Sequence, residues 1–205
     1  MVSPLASLKM GVLRPQDARG IYERPRRYFQ RWEQEGVLLK IAHGYYAHIP
    51  EASRGGYWRP EIEAIALGIG QADYGKNEVA LMHISAARIH GAIPRALAVA
   101  VLAVPKQRPT LETTCGRVIF VKRNVSTLKR IRVETELATG WVTSLEQTTL
   151  DLARRLDLVK GLSNEVQDAV LSLFARGNKQ KLEALARDQR MVATLVRVKD
   201  WADDA

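Results

Sequence analysis

The stretch "ALAVAVLAV", residues 96–104, constrains the fold more than any other segment. It is the longest apolar run in the chain, nine residues of small and β-branched types. A strand with one face in solvent alternates polar and apolar residues, so an unbroken run reads as a buried strand. Nine residues also fall far short of the ~20 that a membrane-spanning helix needs. The chain must therefore organise a core around a sheet.

The neighbouring segments supply the rest of that core. "RVIFVKR" (117–123) and "IRVETEL" (131–137) are two further strand candidates. Upstream, "EIEAIALGIG" (61–70) predicts a helix that buries Ile62, Ile65, Ala66 and Ile69. "VALMHISAARIHGAIPR" (79–95) predicts a short strand leading into a helix around Ser85–His90, stopped by Gly91 and Pro94. "WVTSLEQTTLDLARRLDL" (141–158) contains a helix start: Ser144 can cap it and Gln147 completes a capping box. Leu145, Thr148, Leu152 and Leu156 would line one side of that helix. Two more helices are expected near 163–176 and 179–189, and the final "MVATLVRVKDWADDA" is compatible with helix or strand.

The N-terminal quarter has a different grammar. Ser3 and Pro4 open a predicted helix with Leu5, Leu8 and Val12 at helical spacing, and Pro15 starts a short second one ended by Gly20. A third helix lies in "ERPRRYFQRWEQEG" (23–36), with Pro25 at its first position and Gly36 just past its end. "VLLKIAHGYYAHI" (37–49) then offers two strand-prone stretches around a His43–Gly44 turn. Helix, turn, helix and hairpin in that order predict a winged helix-turn-helix. "PEASRGGYWRP" (50–60) is turn-rich and reads as a linker. The expected class is α+β, with a winged helix-turn-helix at 1–50, a linker at 51–59 and a mixed α/β domain with a small sheet and several helices at 60–205.

Charge points to a partner. A net charge of +9 and a pI near 9.9 favour a polyanion. The excess is +4 in residues 1–55, +4 in 56–150 and only +1 in 151–205. The third helix concentrates it in an unusual place. Arg24, Arg26 and Arg27 crowd a helix N-terminus, where the dipole favours acids. At about 100° per residue, Arg26, Arg27, Gln30, Arg31 and Gln34 share an arc of about 140° with no acid inside it. An ordinary solvated face mixes signs, because oppositely charged residues three or four apart help the helix. A polyanion would compensate for their absence, and Arg and Gln can each bond two atoms of a base edge. Arg24 with Arg26 or Arg27 are expected at phosphates, and Gln30, Arg31 and Gln34 toward base edges. Lys40 and His43 at the hairpin tip are further phosphate candidates. A second basic segment comprises Arg117, Lys122, Arg123, Lys129, Arg130 and Arg132. Two readings of it stay open: alternating solvent-side residues, or extra contacts to DNA backbone or an acidic partner.

Catalytic patterns are missing from the sequence. Gly70 to Lys76 has phosphate-loop spacing, but Asn77 stands where a Ser or Thr should bind metal. His83 and His90 lack a third ligand and read as buried, hydrogen-bonded residues. Ser85 and Ser144 lack the nucleophile-elbow glycines and read as a helix start and a cap. Glu134 and Glu136 lack the lysine of a nuclease strand. The lone Cys115 permits no disulfide within one chain and fits reducing cytoplasm. The N-terminus has no signal-peptide pattern. The expectation is a cytoplasmic, non-enzymatic protein without cofactor, metal or membrane partner.

Three stretches in order carry a family resemblance: "EGVLLKIAHGYYAHIP", "ISAARIHGAIPRALAVAVLAVP" and "WVTSLEQTTLDLARR". With the N-terminal helices, the chain resembles the AbiEi antitoxins of bacterial type IV toxin–antitoxin systems, which include AbiE phage-defence operons. The resemblance implies a winged helix that represses its own operon at inverted repeats. It also implies a C-terminal domain that counters a nucleotidyltransferase-like toxin. Its landmarks fall on His43, Gly44, Tyr45 and Tyr46, and on Ser85, Ala86, Ala87, His90, Gly91, Pro94 and Arg95. Two other readings remain: a winged-helix regulator unrelated to any toxin, and a toxin-binding neutraliser without specific DNA binding. Operator sequence, direct toxin contact and monomer or dimer on DNA are left open.

Overall fold

The computed structural model describes residues 11–204. In chain order the strands are β1 (Val12–Leu13), β2 (Leu38–Ala42), β3 (Tyr45–His48), β4 (Ala80–Leu81), β5 (Val99–Val104), β6 (Leu111–Thr113), β7 (Gly116–Lys122), β8 (Arg130–Glu134) and β9 (Thr139–Thr143). The helices are α1 (Pro25–Gln34), α2 (Ile62–Tyr74), α3 (His83–Ile89), α4 (Leu145–Arg154), α5 (Ser163–Arg176), α6 (Lys179–Asp188) and α7 (Val192–Asp203). The protein is of mixed α+β class, with a three-stranded sheet ordered β1-β3-β2 and a six-stranded sheet ordered β6-β7-β5-β4-β9-β8.

All six residues of β5 are buried, as the apolar run requires. Their side chains divide by parity between two cores. Val99, Val101 and Ala103 face α3, α4, α5 and α7. Ala100, Leu102 and Val104 face α2 and the β2–β3 hairpin. The strand therefore lies between two helical layers, paired in parallel with β7 and antiparallel with β4. Close approach of α2 depends on Gly70, where an added Cβ would lie 2.3 Å from a Leu102 methyl. The α6 helix packs on the outside, sharing an apolar cluster with Leu150 and Leu195.

Several local readings need correction. Residues 3–10 of the expected first helix lie outside the described residues, but Val12 belongs to β1, where it pairs with Ala47 of β3. Tertiary pairing overrides the helical spacing there. Ser85 does not start a helix; it is buried inside α3, and its Oγ accepts the Val101 N–H at 2.9 Å. Ser144 does cap α4, accepting from the Gln147 N–H, but the box is not reciprocated. Gln147 instead accepts the Lys129 N–H and trades two amide hydrogen bonds with Gln189. The α4 helix ends at Arg154, short of Leu156. The C-terminal stretch is helical, and β6 and β9 are strands that no pattern in the sequence announces.

The two histidines brace α3. His90 Nε2 donates to the Thr143 carbonyl at 2.8 Å. His83 is fully buried at φ +55°, and its Nε2 donates to the Arg155 carbonyl at 2.9 Å. That bond fixes the tautomer and leaves Nδ1 without a partner among the described residues. Burial therefore pushes the imidazole pKa down to about 4. Between that value and the ordinary ~6.5 the unfolded chain binds a proton that the folded chain refuses. Stability from the neutral ring is thus complete above pH ~6.5 and is lost on acidification toward pH 4, by roughly 3 kcal/mol in all. Buried Glu63 and Asp151, both raised by desolvation, act in the opposite sense. The clean measurement is a difference: urea denaturation at pH 7 and 4.5 should show wild type losing more stability than His83→Gln. Equal losses would contradict the assignment.

Candidate nucleic-acid interface

The N-terminal module is held by an aromatic wedge. Phe29 points inward from α1, fully buried against Leu13, Ala18, Leu38 and Tyr46. Its ring lies 5.5 Å from Trp32 and 5.2 Å from Tyr46. Tyr28, next to it in the chain, stays 41% exposed and stacks on Tyr22 at 4.4 Å. Anchoring Phe29 turns the opposite flank of α1 toward the β2–β3 hairpin. Gly36 (φ +67°) ends the helix and Gly44 (φ +81°) makes the hairpin turn.

Between α1, the hairpin and the 3₁₀ turn Pro15–Ala18 lies an open concavity of about 770 Å³. Arg24, Arg26, Arg27, Gln30, Lys40 and His43 all line it, and all six are exposed. Arg14, Gln16 and Arg19 join them, and none of the lining residues is acidic. The sequence held a signal for these additions: two arginines bracket "PQDA" immediately upstream of α1. Arg31 and Gln34 do not line the concavity. Arg31 instead pairs with Glu35 across one turn, Nε to Oε1 at 2.7 Å. The arc does therefore receive one i,i+4 pair, from a border residue. Among the described residues nothing comparable relieves the N-terminal arginines: α1 has no acid in its first turn and no side-chain cap.

One carboxylate ties this concavity to the larger sheet. Asp73, near the end of α2, receives Arg14 at 2.7 Å, the Tyr45 hydroxyl at 2.8 Å and the Arg108 guanidinium. Arg14 and Tyr45 line the concavity, whereas Arg108 belongs to the β5–β6 connection. Burial, reinforced by the Asp73 hydrogen bond, raises the Tyr45 phenol above its usual range. Beneath, Ile41, Ala42 and Ala47 of the hairpin share one apolar cluster with α2, β5 and β7. The Thr114 N–H also bonds the Ile41 carbonyl at 2.9 Å.

The second basic segment is not one patch. Arg117 and Lys122 sit on β7, with three strands between them and Arg130 and Arg132 on β8. Arg123 is used internally, pairing at 2.9 Å with Asp151, whose side chain is almost fully buried. Lys129 is exposed just before β8. Arg130 and Arg132 each stack 4.5 Å from the Trp141 ring centre. Among the described residues no cluster of three or more His, Cys, Asp or Glu could hold a metal, and no helix is long and apolar enough to cross a membrane.

Fold and site together describe an α+β protein with a helix-flanked mixed sheet and a cationic, acid-free groove on its N-terminal module. The family model for the AbiEi antitoxin C-terminal domain matches residues 78–201, from just before β4 into α7. The chain belongs to that family, which makes it the antitoxin of a toxin–antitoxin pair. No curated protein matches it.

Asp73→Ala leaves two arginines and a phenol half-buried without their common acceptor. It should cost about 2 kcal/mol in urea denaturation, below the range for fully buried pairs because these groups keep some solvent contact. A loss under 0.5 kcal/mol, the usual scatter of surface substitutions, would show that the junction does not depend on this carboxylate.

Proposed function

We propose that the chain is an antitoxin and transcriptional autorepressor. Its N-terminal unit (1–50) is a winged helix-turn-helix that grips inverted-repeat operator DNA. A linker (51–59) joins it to an antitoxin domain (60–205) that counters a nucleotidyltransferase-like toxin in the bacterial cytoplasm. The observation that carries this reading is the concavity lined by Arg14, Arg19, Arg24, Arg26, Arg27 and Lys40 with no carboxylate among them. Topology supports it. A short strand, a helical turn, a longer helix and a hairpin, with the first strand paired to the last, is the order of a winged helix.

In this reading α1 is the recognition helix and lies in a major groove. Arg24, Arg26, Arg27, Lys40 and His43 meet phosphates beside it, and Gln30 reaches a base edge. Arg31 and Gln34 extend the same flank, although Arg31 must release Glu35 before it can read a base. The arginines at the helix N-terminus cost stability in the free protein, by about 0.3–1 kcal/mol each at exposed sites. DNA phosphates reverse that sign, so the strain is resolved on binding.

Fluorescence anisotropy on the DNA upstream of the gene tests the roles. Arg27→Ala should weaken upstream and scrambled duplexes alike and lower the salt slope by about one. Gln30→Ala should cost about 1–3 kcal/mol on the upstream duplex and blur preference at one position. Unchanged affinity and selectivity in both variants would remove α1 from the interface.

A further inference from the structure

Among the described residues β8 is an edge strand: β9 is its one sheet partner, and no strand pairs with its other side. Pairing at the β9 side uses the odd residues. The Lys129 carbonyl accepts from Ser144, and the Thr135 N–H donates to the Ala138 carbonyl. In an antiparallel pair the intervening residues turn their backbone groups outward. Arg130, Arg132 and Glu134 therefore present free N–H and C=O groups at the edge.

Natural edges are usually blunted by charge, which blocks a second strand by repulsion. This edge carries charge in a pattern that does not repel its own copy. In "RIRVETE" (130–136) the signs are antisymmetric about Val133: Arg132 mirrors Glu134 and Arg130 mirrors Glu136. Among the described residues none of these four has an ion-pair partner within the chain. Stacking of Arg130 and Arg132 on Trp141 holds both guanidiniums at the strand, and Ile131 is 48% exposed beside them.

We propose that β8 is a homodimer interface, in which two copies of this chain pair their β8 strands antiparallel about a two-fold axis at Val133. Each Arg132 then faces the partner's Glu134, both with backbone groups outward, so the ladder and the ion pairs form together. Val133 meets its own copy as the central non-hydrogen-bonded pair. The contact is an isologous one that closes on itself and joins two six-stranded sheets into one. A single strand edge is smaller than a standard interface, so the dimer is a weak one. The pairing does not depend on DNA binding, but it would relate two cationic grooves by the symmetry that an inverted repeat presents.

The test needs no DNA. In a Cys115→Ser background, Val133→Cys places two thiols at a Cα separation of about 4.5 Å, within the disulfide range. Ile131→Cys places them about 13 Å apart along the strands. In a glutathione buffer Val133→Cys should give disulfide-linked dimer at least about tenfold more readily than Ile131→Cys, through the higher effective concentration. Equal yields would overturn the register. Independently, Arg132→Glu and Glu134→Arg should each lose self-association in sedimentation equilibrium with unchanged thermal midpoints. Mixing the two should restore a heterodimer, since every facing pair is again opposite in sign. Failure of the mixture to associate, or undiminished association of either variant alone, would overturn the proposal.

Discussion

A strand with no solvent face sets the terms for the rest of this molecule. Because β5 buries both sets of side chains, it needs a layer on each side, and the helices distribute accordingly. One layer is α2 with the β2–β3 hairpin, the helix pressed close to the sheet through Gly70. That placement brings Asp73 to the sheet's margin, where it gathers Arg14, Tyr45 and Arg108. The cationic groove is thus oriented by the core of the larger sheet, through one helix and one carboxylate. Beneath Asp73 the hairpin and α2 share a continuous apolar cluster, so the N-terminal module is packed onto the sheet as well as joined to it by chain.

Much of this was legible in the sequence wherever one physical signal dominated. The apolar run gave β5, the capping and breaking residues gave α1 and the start of α4, and the helices expected near 163–176 and 179–189 match α5 and α6. Signals failed where tertiary contacts decide. Val12 keeps helical spacing with Leu5 and Leu8 but pairs with Ala47 in a two-residue strand too short for any pattern to announce. Gln147 looked like half of a capping box, yet its amide is drawn to Gln189, 42 positions away in sequence. β9 was hidden because its five residues run directly into the Ser144 cap.

The candidate site was legible in part for the same reason. Helical geometry places Arg26, Arg27 and Gln30 on one flank, and the hairpin turn brings Lys40 and His43 opposite. Arg14 and Arg19 join only through the 3₁₀ turn, whose position depends on β1 pairing with β3. Arg31 was placed on the same arc by angle alone, and its bond to Glu35 could not be weighed without side-chain positions. The basic middle segment shows the converse error. Its residues are neighbours in sequence, whereas a crossover topology leaves three strands between β7 and β8.

The account rests on the claim that the groove reads a DNA sequence and does more than attract polyanions. The most direct measurement is the affinity of the wild-type protein for its upstream DNA and for a scrambled duplex of equal length, across a salt series. The account predicts a preference of at least about 10³-fold for the upstream DNA, with a steep salt dependence on both duplexes. Equal, weak and salt-sensitive binding to the two would contradict it, and would leave the positive charge as general attraction.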